Sequence, residues 1–342
     1  MLTDSFGRTL DYLRVSITDR CNLRCVYCMP ADGVESKTHD SMLRFEEILR
    51  LCRILIELGV RKIKVTGGEP LVRKGTGAFL NELKKLLLTN QRISGTEKLT
   101  LTTNGYLLGA YLDEAEAFAS AKTAPVSNFP LDGVNISLDA LDRERSAFIT
   151  RKTDINPEEI FLHVDRLLKK NIPVKINCVP IRELNEDQIV PLAALAKARN
   201  IAVRFIELMP LGSAAGFKPF PGTEIAVLLE KAFGKPKLFS GVLGNGPAVY
   251  YTFPGFAGVV GFINPLSRCF CESCNRLRLT SEGLLKLCLS SALNLDLRAL
   301  LRSGASDGEL AQVIRETALQ KPRIHNLEHK EQHPDGMFEI GG

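Results

Sequence analysis

The chain has 342 residues, and its 44 Lys and Arg residues against 39 Asp and Glu residues give a formal net charge of +5. Nucleic-acid-binding proteins usually carry a stronger basic stripe with interleaved aromatic residues. Here the charges are mixed along the chain and Trp is absent, so we expect no nucleic-acid partner. The N-terminus has no basic and apolar signal segment, and no eighteen apolar residues follow one another, so the sequence predicts a soluble cytoplasmic protein without a membrane partner.

Short β-branched runs alternate with amphipathic helical stretches from residue 10 to about 210. The clearest helix has Phe45, Ile48 and Cys52 on one apolar face and Gly59 as its C-terminal stop. Six βα units in series favour parallel strands covered by helices, although the pattern does not decide whether the sheet closes. The predicted strands are 13–17, 62–65, 99–102, 134–137, 174–178 and 203–206, and the predicted helices are 45–58, 79–88, 111–119, 157–169 and 187–198.

Three cysteines follow the first predicted strand, at Cys21, Cys25 and Cys28. A structural zinc site uses four protein ligands, and so does a simple electron-transfer iron–sulfur cluster. A cluster of four irons held by three thiols keeps one iron open to a small molecule, which is typical of a catalytic site. A zinc loop completed by a distant residue is the alternative.

A Gly-Gly-Glu-Pro turn at 67–70 ends the second predicted strand. Paired glycines let the backbone approach a ligand closely, and a strand end leaves N–H and C=O groups free to bond with it. Together with the CxxxCxxC motif, this turn resembles the radical S-adenosylmethionine (radical SAM) superfamily. There the turn meets the amino group of SAM, and the open iron chelates its amino and carboxylate groups.

Several cations lie within the predicted strands, among them Arg14, Lys64, Lys175 and Arg204. If Lys175 points into the sheet interior, its charge needs an anion nearby. If it points outward, it belongs to a solvated face. Several cations aimed at one strand end would bind a polyphosphate.

Gly and Pro cluster after residue 212, and we place a domain boundary there, between 1–212 and 213–342. One helix, at 223–233, and strand-like pieces at 249–253 and 258–263 are predicted to follow.

A second cysteine group consists of Cys271, Cys274 and Cys288, and a predicted hairpin at 276–287 returns the third cysteine to the first two. Cys269 offers a fourth thiol, so an all-cysteine zinc site is an alternative here. The single residue between Cys269 and Cys271 is tighter than the usual zinc knuckle.

Arg276 and Arg278 alternate on the hairpin directly after Cys274, so both are able to reach a phosphate on one face of the metal. This arrangement favours an auxiliary cluster beside an anionic ligand.

With both groups in view, the chain resembles the GTP 3′,8-cyclase family, the radical SAM enzymes that open molybdenum-cofactor biosynthesis. The matching segments are 16–21, 66–70, 101–105, 135–139, 205–209, 270–280 and the terminal 341–342. The resemblance implies an α/β fold: an incomplete six-stranded (βα)6 TIM-like barrel, followed by a C-terminal α+β region that carries a second iron–sulfur cluster.

The resemblance also implies two [4Fe-4S] clusters and SAM as cofactors, with GTP lying between the clusters. Cluster one would use Cys21, Cys25 and Cys28, and cluster two Cys271, Cys274 and Cys288. The implied SAM-binding residues are Tyr27, Gly68, Ser137 and Met209. The implied GTP-binding residues are Arg14, Lys64, Thr102, Lys175, Arg276, Leu277 and Arg278. No side chain is assigned to catalysis, because SAM and cluster one carry the radical chemistry.

The implied reaction converts GTP to (8S)-3′,8-cyclo-7,8-dihydroguanosine 5′-triphosphate. A 5′-deoxyadenosyl radical removes the ribose 3′ hydrogen, and C3′ attacks guanine C8. The implied partners are an external electron donor and a downstream cyclic pyranopterin monophosphate synthase, and the sequence leaves a homodimer open. A radical SAM peptide-modifying enzyme with an auxiliary cluster and a non-enzymatic zinc protein are the alternatives.

Two residues depart from the family pattern, and one segment has two interpretations. Lys64 stands where the family more often has Arg, and Cys269 is extra and would weaken the GTP assignment if it bound the open iron. The family implies that the Gly341 and Gly342 tail threads into a crowded site; a disordered polar tail is the alternative. We interpret the tail histidines as solvated side chains, namely His325, His329 and His333.

Overall fold

The computed structural model describes residues 1–33, 37–89, 97–120, 129–244, 246–291, 293–327 and 337–340. The strands are β1 (Tyr12–Ser16), β2 (Lys62–Thr66), β3 (Lys98–Thr103), β4 (Gly133–Ser137), β5 (Val174–Cys178), β6 (Ala202–Ile206), β7 (Lys237–Leu238), β8 (Val249–Thr252), β9 (Val259–Ile263), β10 (Arg276–Leu279), β11 (Leu284–Lys286) and β12 (Asn294–Asp296). The α-helices are α1 (Phe45–Glu57), α2 (Thr76–Thr89), α3 (Leu108–Ser120), α4 (Arg143–Thr150), α5 (Pro157–Lys169), α6 (Ile189–Ala198), α7 (Gly222–Phe233), α8 (Leu297–Arg302), α9 (Asp307–Ala318) and α10 (Met337–Ile340).

Twelve strands form one sheet, in the order β12-β11-β10-β1-β2-β3-β4-β5-β6-β9-β8-β7. Strands β1 to β6 pair in parallel and in chain order, which confirms the prediction of six βα units in series. Among the described strands, β12 and β7 lie at the two ends of the order, so the barrel is incomplete. The fold is α/β.

The C-terminal region extends both edges of the six-stranded core, which the sequence analysis did not predict. Strand β10 pairs in parallel with β1, and β9 pairs in parallel with β6. An edge strand offers unpaired backbone N–H and C=O groups, and these two strands bond to them. The hairpin β10–β11 thereby places the second cysteine group beside the first strand of the barrel.

Side-chain alternation separates the helix-covered face of the barrel from its interior. On β1 and β2, Leu13, Val15 and Ile63 are fully buried in the hydrophobic core. The residues between them point to the opposite face, and the register pairs Arg14 with Lys64. The same periodicity that predicted the strands therefore gathers charged side chains inside the barrel.

Helix α1 buries the predicted apolar face, including Ile48 and Cys52. Gly59 follows it with a φ of +117°, a left-handed conformation that favours glycine, and confirms the predicted stop. None of the described helices is long and apolar enough to cross a membrane.

The sequence analysis missed helix α4, which begins at an Asp142 cap whose side chain accepts a hydrogen bond from the Arg145 amide. The helix is short and weakly amphipathic, so periodicity gave little signal. Its C-terminal carbonyls at Ile149 and Thr150 accept hydrogen bonds from the backbone of the first cysteine loop.

Candidate active site

One cavity of about 330 Å³ opens inside the barrel at the carboxyl ends of the strands, and all six predicted cluster ligands line it. The four residues predicted to contact SAM line it as well: Tyr27, Gly68, Ser137 and Met209. Of the residues predicted to contact GTP, the cavity lining includes Arg14, Lys64, Thr102, Arg276 and Arg278. The fold thus brings together residues from opposite ends of the sequence.

The first cysteine loop, residues 21–28, is fixed mainly by backbone hydrogen bonds. The amides of Arg24 and Val26 donate to the end of α4, and the Cys28 amide donates to the Cys25 carbonyl over 2.9 Å. Burial raises the pKa of Cys25 well above its usual value and that of Cys28 to about 12. Without a metal these thiols stay neutral, so iron binding would release their protons.

The glycine turn packs directly against the segment that leads into Cys21. The Gly68 amide donates to the Thr18 carbonyl, and the Glu69 amide donates to the Arg20 carbonyl, both over 2.8 Å. A Cβ atom at Gly68 would collide with the Arg20 carbonyl oxygen. Glycine is therefore required here by close approach to the chain's own backbone, whereas the sequence analysis predicted close approach to a ligand, which stays a prediction.

Glu69 ties the turn after β2 to the turn after β3. Its buried carboxylate accepts hydrogen bonds from the Leu71 amide (3.0 Å), the Thr103 hydroxyl (2.8 Å) and the Asn104 amide (2.7 Å). Burial nevertheless raises the pKa of Glu69 to about 7. The Asn104 side chain in turn donates to the Asn22 side-chain oxygen over 2.7 Å, so this network reaches the cysteine loop.

Asp139 is a cavity residue that the sequence analysis did not assign to a ligand. Its carboxylate accepts a hydrogen bond from the Tyr27 hydroxyl over 2.6 Å and from the Val179 amide over 2.8 Å. Burial raises the pKa of Asp139 to about 6 and, together with that carboxylate, raises the pKa of Tyr27 well above its usual value. The sequence signals were its position shortly after a strand end and its place in the matching segment 135–139, and neither assigned it a ligand.

Between the two cysteine groups the interior carries a row of cations. Burial lowers the pKa of Lys64 well below its usual value, and the charges of Arg204 and Arg14 lower it further. The Arg204 guanidinium donates to Asn177 (2.8 Å) and to Asn135 (2.7 Å), whose neutral amides leave its positive charge in place. Burying several positive charges close together raises the free energy of the folded chain unless a bound anion neutralises them.

Two residues predicted to contact GTP lie outside the cavity lining. Lys175 points inward, which answers the question that the strand pattern left open, but its ammonium donates to the Leu243 carbonyl. Burial lowers the pKa of Lys175 to about 8. Leu277 is fully buried in the hydrophobic core, so its side chain faces the helices.

The second cysteine group is assembled from distant parts of the chain. Arg8 donates to the carbonyl oxygens of Cys271 and Pro322, each over 2.7 Å, and its guanidinium lies 2.5 Å from the Asp4 carboxylate. These bonds fasten the N-terminus and residues 321–327, which we call the closing segment, to the loop that carries Cys271.

Lys321 begins the closing segment and is 2% exposed. Its ammonium donates to the carbonyl of Arg276 over 2.9 Å and to that of Leu287, and so joins β10 to the residue before Cys288. Burial alone would raise the pKa of Cys274, but the charges of Lys321 and Arg276 hold it below its usual value. This environment favours the thiolate form of Cys274.

The interpretation of His325 as a solvated side chain is wrong. His325 is half-buried, lines the cavity, and holds its ring Nε2 2.8 Å from the Pro265 carbonyl oxygen. The contact comes from tertiary folding, and no motif pointed to it. His329, His333 and the Gly341 and Gly342 tail lie outside the described residues.

The residues present fit iron–sulfur clusters in donor type and number. Each group supplies three thiols to the cavity, and thiolate is the protein ligand of [4Fe-4S] clusters.

Comparisons with known proteins agree with this geometry. Residues 15–196 match the family described as Radical SAM superfamily, and residues 201–327 match Molybdenum Cofactor Synthesis C. Among solved structures, Streptococcus suis SuiB bound to S-adenosylmethionine matches with a TM-score of 0.58 and 14% identity, over 90% of this chain and 68% of that chain. At this identity the match shows the fold alone.

Curated relatives match over the full length. A protein of Clostridium perfringens (strain SM101 / Type A) named GTP 3′,8-cyclase is 40% identical over 345 residues, which cover 100% of both chains. A GTP 3′,8-cyclase of Moorella thermoacetica is 41% identical over 344 residues, again covering 100% of both. The chain therefore belongs to the GTP 3′,8-cyclase family of the radical SAM superfamily.

Proposed function

We propose that this chain cyclises GTP to (8S)-3′,8-cyclo-7,8-dihydroguanosine 5′-triphosphate, the first step of molybdenum-cofactor biosynthesis. The observation that carries the proposal is that both three-cysteine groups and the cations between them line one cavity. A radical SAM peptide-modifying enzyme and a non-enzymatic zinc protein are not adopted, because full-length relatives at about 40% identity are named GTP 3′,8-cyclase.

In this proposal Cys21, Cys25 and Cys28 hold the first [4Fe-4S] cluster, and Cys271, Cys274 and Cys288 hold the second. When bound, the first cluster supplies the electron that cleaves SAM to methionine and a 5′-deoxyadenosyl radical. Tyr27, Gly68, Ser137 and Met209 are the proposed SAM contacts. The hydrogen bond from the Tyr27 hydroxyl to Asp139 fixes the orientation of the Tyr27 ring within the first cysteine loop.

The proposed triphosphate seat uses Arg14, Lys64, Thr102, Arg276 and Arg278, and we add Arg204 because it lines the same cavity. Lys175 joins this seat only if it exchanges the Leu243 carbonyl for a phosphate oxygen, and Leu277 contributes only through its backbone. By binding the triphosphate, these side chains hold the attached ribose and base in a reactive geometry, and the filled cavity keeps water out.

The implied partners belong to the same proposal. An external electron donor reduces the first cluster, and a cyclic pyranopterin monophosphate synthase takes the product. All nine cysteines are free in the described chain, which supports a reducing cytoplasmic location. A homodimer stays a prediction.

The direct test is anaerobic. Protein reconstituted with iron and sulfide receives dithionite, SAM and GTP, and the products are analysed by mass spectrometry. We expect a product isobaric with GTP together with 5′-deoxyadenosine. If deoxyadenosine forms while GTP stays intact, the substrate assignment is wrong, and an iron-loaded protein that does not cleave SAM contradicts the radical SAM assignment as well.

A Lys64→Met variant tests the phosphate seat. Removing one charge from a crowded row relieves repulsion in the nucleotide-free protein, so its melting temperature should rise. GTP binding should weaken by about 10- to 100-fold, the range for losing one charge-assisted hydrogen bond. Lys85→Met, which removes an exposed lysine from α2, is the control and should leave GTP binding unchanged. A Lys64→Met protein that binds GTP normally would contradict the seat.

A further inference from the structure

The ligand atoms of Cys269, Cys271 and His325 all lie within 4.8 Å of one another. Two thiols and an imidazole form a donor set suited to iron or zinc. Cys271 is already a proposed ligand of the second cluster, so the other two side chains are candidates for the iron that its three cysteines leave open.

The ring of His325 is oriented as in a metal-ligating histidine. Because the Pro265 carbonyl oxygen is only able to accept, the 2.8 Å contact requires the proton to lie on Nε2. The lone pair then lies on Nδ1, where the Leu327 amide approaches to 3.4 Å. That long contact is weak, whereas a ring N–H fixed by a carbonyl is typical of histidine ligands.

The backbone around His325 is attached to the same cysteine group. The His325 amide donates to the Cys271 sulfur. The Asn326 amide donates to the Ser290 hydroxyl over 2.9 Å, and that hydroxyl lies 3.6 Å from the Cys288 sulfur. The position of His325 is therefore coupled to two of the three cysteines.

The two candidate ligands, Cys269 and His325, differ in whether they line the cavity. Among the described residues that line the cavity, His325 and Cys271 are present and Cys269 is not. Cys269 is exposed to solvent. The open iron must face the cavity if a substrate is to reach it, and His325 is the donor on that side.

We propose that His325 is an exchangeable fourth ligand of the second cluster, bound through Nδ1 in the nucleotide-free enzyme and displaced when the nucleotide enters. The inference rests on the proposed function, because it requires Cys271, Cys274 and Cys288 to hold that cluster. The exchange breaks one nitrogen–iron bond and forms one bond to a donor atom of the nucleotide. No electron is transferred, and the released Nδ1 accepts the Leu327 amide again.

The test uses the full-length chain with Cys21→Ser, Cys25→Ser and Cys28→Ser, so that only the second cluster contributes a signal. The protein is labelled with ¹⁵N-histidine, reconstituted anaerobically to about four irons per chain, and reduced. Electron–nuclear double resonance should detect one strong ¹⁵N coupling without nucleotide, and unlabelled GTP should abolish it.

Single substitutions assign the coupling. His325→Ala and the closer replacement His325→Gln should both remove it, so the result does not depend on the folding of one variant. Cys269→Ser and His163→Ala, which changes a histidine on α5, should retain it.

Two failures have different meanings. An iron-loaded triple variant without ¹⁵N coupling, or with coupling that survives His325→Gln, would overturn the assignment of His325 and leave the GTP reaction standing. A triple variant that binds no iron would overturn both this inference and the second-cluster ligand set. Formation of the GTP-isobaric product by the wild-type chain tests the proposed function independently.

Discussion

The two cysteine groups differ in how the chain builds them. The first lies within eight consecutive residues, and strand-end turns and the end of α4 hold its backbone in place. The second depends on three separate segments: the N-terminus through Arg8, the hairpin β10–β11, and the closing segment through Lys321. We therefore expect substitutions far from the cysteines to disturb the second group more than the first, because only the second group is held in place by contacts between distant segments.

The charges around the two groups also differ. The buried carboxylate of Asp139 lies near the first group. Burial is the largest cause of the raised pKa of Cys25, and the charge of Asp139 is the second largest. Lys321 and Arg276 lie near the second group and lower the pKa of Cys274. The surroundings of Cys274 therefore favour anions, both its own thiolate and a phosphorylated substrate, whereas burial raises the pKa of Cys271 to about 11.

The largest expected effect comes from Gly68→Ala at the first site. The new methyl group would push the turn away from the Arg20 carbonyl. A displacement of this kind costs about 100-fold in rate, so 5′-deoxyadenosine formation should fall by that factor. Gly308→Ala, where a Cβ meets only the Ser306 hydroxyl at 4.0 Å, is the control. Normal SAM cleavage by Gly68→Ala would show that the close approach is not needed.

An Arg8→Leu variant should damage only the second site. It removes the bonds to the Cys271 and Pro322 carbonyls and leaves the buried Asp4 carboxylate without its ion pair. Iron content should fall from about eight to about four per chain, while SAM cleavage is retained.

The matched control for Arg8 is Arg53→Leu, which removes a surface ion pair to Asp307. It should keep both clusters. If Arg8→Leu also retains about eight irons per chain, the second site does not depend on this N-terminal contact.

The smallest effect concerns the pH dependence of the first site through Glu69. Its pKa rises from 4.5 to about 7 in the folded chain, so the folded state binds this proton more tightly than the unfolded state. The contribution of Glu69 to stability is complete below about pH 4.5 and is lost as the pH rises to about 7. The loss should not exceed about 3.4 kcal/mol, at 1.36 kcal/mol for each pKa unit.

Unfolding of the metal-free chain between pH 4.5 and 8 measures this contribution. Glu69→Gln should flatten the decline, and Glu82→Gln, which changes an exposed acid on α2, should not. Equal pH dependence in the wild-type and Glu69→Gln proteins would rule out the carboxyl as its source.

Much of the barrel could be predicted from the sequence, because strand and helix periodicities are local. Strand β5 and helix α5 begin and end at the predicted residues, and the other four predicted barrel helices, α1, α2, α3 and α6, differ by at most three residues at each end. Short elements were missed where periodicity is weak, as in α4. The motif at 21–28 was informative because its cysteines share one loop.

The sequence by itself determined the family, the parallel barrel and the two cysteine groups, since each depends on residue type and spacing within a short segment. Only the tertiary structure decided that β10 and β9 bond to the barrel edges, that Lys175 points inward to the Leu243 carbonyl, and that His325 lies beside Cys271. These contacts join residues distant in sequence, or depend on which neighbour meets a side chain, and neither composition nor periodicity contains that information.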